Sequence, residues 1–172
     1  VIGTHPWISV ELINQAEDGT LTYSKGGAFD TTTGSWNTKQ IPMSSFTGVD
    51  LTKVCGIRIN VNLQEHMTEG ALSQVYVDNV RVVPKSEQPD EPEIPEDTTT
   101  DTDLLATSQI TYSSVSESTK LEACLQSEIT NGSNQALKMQ VTGNGYFQWH
   151  KVTLALTEAV AADAESFTVD VE

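Results

Sequence analysis

Residues 57–64 read IRINVNLQ, with Ile57, Ile59, Val61 and Leu63 alternating strictly with Arg58, Asn60, Asn62 and Gln64. A period of two sends successive side chains to opposite faces, so this stretch reads as a strand with one apolar and one polar face. The same texture recurs outward in both directions. Ile8, Val10 and Leu12 alternate with Trp7, Ser9 and Glu11, and Leu137, Met139 and Val141 with Lys138 and Gln140. Val152, Leu154 and Leu156 alternate with Lys151 and Thr153, and Phe167, Val169 and Val171 with Thr168 and Asp170. One apolar face per strand predicts antiparallel sheets packed as an all-β sandwich. Turn chemistry punctuates the runs at EDGT (17–20), SKGG (24–27), TTGS (32–35), NGSN (131–134) and TGNG (142–145). Helical character is confined to LTEAVAADAES (156–166), a run short enough to be a turn within a loop.

The texture breaks once. Residues 84–103 read PKSEQPDEPEIPEDTTTDTD, with eight acids against Lys85 alone and prolines at 84, 89, 92 and 95. Such a segment has too little apolar surface to bury a core and repels itself into an extended spacer. The chain therefore divides into residues 1–83, an acidic Pro/Thr-rich linker over 84–103, and residues 104–172. The linker's alternative reading, an acidic strip that binds calcium, lacks the regular ligand spacing of a dedicated loop.

The 172 residues carry 9 Lys+Arg against 24 Asp+Glu, a net charge of −15. That field repels phosphate backbones and anionic lipid surfaces, which argues against nucleic acid as a partner. No apolar run approaches the roughly 20 residues that cross a bilayer as a helix, so no membrane insertion is expected. Usage rich in Thr, Ser, Asn and Gly points to a secreted or cell-surface setting. Cys55 and Cys124 are compatible with two buried thiols or with one disulfide. The chain opens at Val1 without an initiator Met or a secretory-signal pattern, as a processed chain or an excerpt would.

Two signatures flank the linker. Before it stand GSWNTKQIPMSSFTGVDLTKVCGIRINV (34–61) and SQVYVDNVRVVP (73–84). Together they resemble the closing half of the jelly-roll carbohydrate-binding modules of bacterial extracellular proteins. In that family a Trp-led strand, a Val-Asp-Leu-x-Lys-Val-x-Gly-Ile segment and a final Tyr-x-Asp-Asn-Val strand follow in this order. After the linker, NQALKMQVTGNGYFQWHKVTLAL (134–156) resembles the opening half of the same kind of module, with Ala-Leu-Lys-Met at the family's Ala-Leu-Lys-Val. The resemblance implies an antiparallel jelly-roll β-sandwich split across the linker: 1–83 closing half, 104–172 opening half. Reading AESFTVDVE (164–172) on into VIGTHPWISVELIN (1–14) restores a continuous module. Either half alone leaves unpaired strand edges and half a core. Completion could come from a circular permutation, from neighbouring copies, or from a chain of repeats cut at this phase. The rival is an excerpt spanning two unrelated modules. Head-to-tail completion by neighbouring copies, giving a repetitive surface protein or filament, is the expectation; a glycan-binding accessory module that targets a secreted glycoside hydrolase to polysaccharide is the alternative.

No Gly-x-Ser-x-Gly elbow, phosphate-cradling loop or His-Glu-x-x-His pair occurs, so the chain is expected to be non-catalytic. His5, His66 and His150 stand singly and read as surface histidines. Trp36 reads as core, and Tyr76 as either core or surface. Trp149 and Phe147 have the parity opposite to Val152, Leu154 and Leu156, which makes them the candidate sugar-stacking platform. Arg58, Asn60, Asn62 and Gln64 offer guanidinium and amide groups suited to hydroxyls, a row that also fits an ordinary solvated face. Asp78, in YVDNV, falls where the resemblance implies a ligand of a structural calcium.

Overall fold

The computed structural model describes residues 7–24, 26, 28–30, 34–63, 69–70, 72–84, 103–114, 121–133, 135–142, 148–157 and 164–172. The first segment carries strands β1 (Trp7–Gln15), β2 (Leu21–Tyr23), β3 (Ala28–Asp30), β4 (Asn37–Pro42), β5 (Val54–Leu63) and β6 (Leu72–Pro84). The second carries a helical turn, α1 (Leu104–Thr107), then β7 (Gln109–Ser114), β8 (Leu121–Gln126), β9 (Ala136–Thr142), β10 (Gln148–Ala155) and β11 (Ala164–Val171). The linker's interior, 85–102, and most of the suspected helical run at 156–166 lie outside the described residues. Pro84 itself ends β6, paired with Ala164.

The strands form two antiparallel sheets. One is ordered β2-β1-β5-β10-β7, with β3 also on β1; the other is β4-β11-β6-β9-β8. Each sheet draws on both sides of the linker. In the second sheet β4 pairs with β11, and β6 lies between β11 and β9, so no two strands of the first segment are adjacent there. In the first sheet the junction is β5 on β10, an uninterrupted register from Gln148↔Leu63 to Ala155↔Gly56.

The alternating apolar residues meet between the sheets. Ile8, Val10, Leu12, Ile57, Ile59, Leu137, Val152, Leu154, Phe167, Val169 and Val171 are fully buried in one cluster. Burying each such side chain contributes about 1.5–3 kcal/mol. Phe46 closes the cluster edge-on to Phe167, with ring centroids 6.5 Å apart. Trp36, expected in the core, is half-buried, as is Tyr76. Cys55 and Cys124 are free thiols, Cys55 part-buried and Cys124 exposed on edge strand β8.

Two bulges change strand parity. Asn14 faces Val54 while Ile13 faces Gly56, which leaves Cys55 extra and lets Val54 and Ile57 both point inward. On β6, Asn79 and Val80 together oppose the single residue Val169. Asn79 adopts φ +47°, and Val77 and Val80 are both buried as a result.

The outer edge of β1 is covered by the chain passing from β2 to β3. Ser24 donates its N–H to the Leu12 carbonyl and accepts the Leu12 N–H on its hydroxyl. Gly26 then runs so close to β1 that a Cβ there would sit 2.0 Å from the Val10 carbonyl oxygen. Gly26→Ala is expected to lose about 1–3 kcal/mol, the cost of forcing volume into a packed site. A denaturant titration reads this as a lower midpoint at unchanged slope; an unchanged midpoint would contradict the close approach.

Candidate binding face and the Asp78 cluster

Alternation assigns the polar positions of β1, β5 and β10 to the face of the first sheet away from the core. Register aligns them in rows across the strands: Trp7, Asn62 and Trp149; then Ser9, Asn60 and Lys151; then Glu11, Arg58 and Thr153. The sheet thus brings Arg58, Asn60, Asn62 and Trp149 into one patch by backbone position, and adds Trp7, which the sequence reading had not selected. Phe147 and Gln64 lie outside the described residues.

Among the described side chains of this face, Arg58, Glu11, Asn60, Ser9 and Tyr23 engage one another. Arg58 forms an ion pair with Glu11, both side chains less than one-fifth exposed, and its guanidinium carbon lies 3.8 Å from the centre of the Tyr23 ring. Asn60 is buried and donates its amide to the Ser9 hydroxyl at 3.1 Å. Neither residue matches the ordinary solvated face. Stacking holds the Arg58 fork against the Tyr23 ring, a cation–π contact that fixes both groups. Tyr23 remains 42 % exposed. Its only sequence signal was an aromatic residue on a short edge strand.

His150 corrects the sequence reading, which placed it on the surface. It shares the parity of Val152 and Leu154, and its ring is fully buried. Neither ring nitrogen has a hydrogen-bond partner among the described residues. Burial disfavours the charged form and holds its pKa below the ordinary histidine value.

Asp78 sits on the outer side of the second sheet, yet it is fully buried. One of its oxygens accepts the Asn79 N–H at 2.7 Å, and the other accepts the Asn131 N–H at 2.5 Å. Asp170, its register partner on β11, accepts the side-chain amides of Asn79 at 2.7 Å and Asn131 at 2.8 Å. Arg81 donates to the Asn79 side-chain oxygen Oδ1 at 3.0 Å, and the Asn79 NH₂ faces Asp170. Beside them Asp103 caps α1 through the Leu105 N–H. Its pKa is raised, first by burial and then by the charge of Asp78, against the opposing pull of the Leu105 N–H and Arg81.

Calcium binding requires six to eight oxygen ligands. The groups aimed at Asp78 and Asp170 among the described residues are N–H donors rather than oxygen ligands. Among the described residues no group of three or more His, Cys, Asp or Glu side chains is arranged to hold a metal. Chemically, the cluster is a clasp. It ties the NGS turn at 131–133 and β11 of the second segment to the β6 bulge of the first. The chain matches no protein-family model, no curated protein and no solved structure.

Three outcomes follow from this geometry. Asp78→Ala leaves two N–H donors without their charged acceptor and should cost about 3 kcal/mol. Chelator should leave the wild-type melting temperature unchanged, and a chelator-sensitive melt would overturn the donor-satisfied reading. For His150, the folded-state pKa lies below the unfolded value, so the unfolded chain takes up the proton first as pH falls. Stability is therefore fully present above the unfolded value of about 6.5 and declines as pH falls through it. His150→Leu removes that decline, so denaturation midpoints of mutant and wild type should diverge between about pH 7 and pH 5, in the mutant's favour. Parallel pH profiles would contradict it.

Proposed function

We propose that the chain is a non-catalytic extracellular β-sandwich unit of carbohydrate-binding-module type, used repetitively in a surface protein or filament in which neighbouring copies complete one another. The observation that supports the module type is the strand order, which the two segments of one chain complete between them. Begin at β9, proceed through β10 and β11, then continue with β1, β3, β4, β5 and β6. In that count the first strand lies beside the eighth, the eighth beside the third and the third beside the sixth. In the other sheet the second lies beside the seventh, the seventh beside the fourth and the fourth beside the fifth. This nested order supports the jelly-roll reading, with β7 and β8 added at the start and β2, which pairs with β1, outside the count. The linker then falls between the module's last strand and its first, the place for a spacer between successive units. The Thr/Ser/Asn/Gly-rich composition and the net charge of −15 favour the extracellular setting.

A second reading, glycan binding, is favoured by the row Trp7, Asn62 and Trp149. Register spaces the two tryptophan positions two strands apart, about 9.6 Å at the usual strand separation. Beside them lie Asn60 and the Arg58–Glu11 pair, polar groups held in place by mutual contacts. Planar polar groups already held by neighbours bind with little loss of side-chain freedom. Retention on a panel of insoluble polysaccharides tests it. Wild type should be retarded, and Trp149→Ala and Trp7→Ala should each reduce retention at least tenfold without changing the far-UV spectrum. A wild-type chain that passes every matrix unretarded removes the glycan reading.

A further inference from the structure

The linker joins two segments that meet through strand pairing and one shared hydrophobic core. Residues 7–84 leave β4 and β6 without a strand partner of their own, because β11 and β9 supply every neighbour those strands have. Residues 103–172 in turn leave β11 unpaired, since both of its partners are β4 and β6. The Asp78 clasp crosses the same divide, from Asp78 and Asn79 on one side to Asn131 and Asp170 on the other. All these contacts keep the same geometry whichever copy of the chain supplies each half.

The connection between the halves is long for the gap it spans. Asp103 lies against β6 at Val80 and Arg81, and Pro84 is four residues further along that strand. At about 3.3 Å per residue the two ends of the linker are on the order of 13 Å apart. Its 18 intervening residues, 85–102, reach about 56 Å when extended. Closure within one chain then has an effective concentration in the millimolar range, which falls to nothing when the linker cannot span the gap.

We infer that the sandwich is an exchangeable joint whose partner is a second copy of this chain: β9, β10 and β11 of one copy take their places beside β6, β5 and β4 of another. This deepens the reading of the chain as a repeated, neighbour-completed unit and rests on it for its biological setting. Isolated chains at micromolar concentration close on themselves. Copies held together on a surface or along one polypeptide exceed the closure concentration and exchange. Two chains related by reciprocal exchange form a closed pair, and serial exchange forms an open line.

Two experiments with the whole chain decide the matter. Deleting residues 85–102 joins Pro84 to Asp103 across one peptide step, about 3.8 Å, and so forbids self-closure. The variant is expected to retain the β spectrum and to elute as two copies or more; a folded monomer would overturn the inference. Complementation does not depend on that variant folding. Ile57→Asp and Leu154→Asp each place a charge in the core at positions that face one another across β5 and β10. Each variant alone should lose its sheet signal. Refolded together, they should recover about half of the wild-type signal in a species of two-chain mass, because exchange rebuilds one sandwich free of both defects. A mixture as unfolded as its components would sink exchange while leaving the polysaccharide test of the module type untouched.

Discussion

Strand β11 lies between β4 and β6, and the second sheet depends on that insertion. With it in place, β4 and the facing edge of β6 are both joined by ladders to β11, interrupted on the β6 side by two bulges. Without it, both strands present open edges to solvent beside a core with one wall incomplete. The residues that fill that wall, Phe167, Val169 and Val171, are fully buried. Strand β11 is thus held by strands at least 80 residues earlier, across the acidic linker. Pairing at such separations carries a chain-closure cost that only simultaneous burial of both faces offsets.

Where β11 meets β6, regular pairing fails, and polar chemistry fills the gap. The bulge at Asn79 admits both Val77 and Val80 to the core, and it holds Asn79 in a left-handed conformation that a non-glycine residue enters at a cost. Asn79 tolerates this better than most residues, because its short amide bonds locally. Its N–H goes to Asp78 and its amide to Asp170 and the Asn131 carbonyl. Two buried carboxylates opposite one another are thereby satisfied by N–H groups, as low-dielectric surroundings demand.

The outer face of the first sheet follows a similar logic in a more exposed place. Arg58 and Glu11 share charge, Tyr23 stacks on the guanidinium, and Asn60 bonds Ser9. Each contact removes side-chain freedom. The tryptophan positions of β1 and β10 flank β5 on this face.

Much of this was legible in the sequence. The alternation in IRINVNLQ and its counterparts named the inward residues of β1, β5, β9, β10 and β11, because strand facing is a local property of period two. Parity also set Trp149 apart from Val152, and it equally marked His150 as inward, although histidine's general preference for partial exposure pointed the other way. Other features had no decisive local signal. At Val77-Asp78-Asn79-Val80 and at Val54-Cys55-Gly56-Ile57 the alternation breaks. The sequence alone does not say whether such a break is a bulge or a strand end, so the presence of both flanking residues in one core was not readable. Nor was α1, a single turn whose only mark is the Asp103 cap. Asp78 gave no sign that its partner would be a backbone N–H 53 residues away. The sequence alone determined which side of each strand is apolar, since neighbours in the chain settle that. Only the tertiary structure decided which strands pair, where the ladder bulges and which donors satisfy the buried acids, because those partners lie far apart in the chain and meet only when both sheets close on one core.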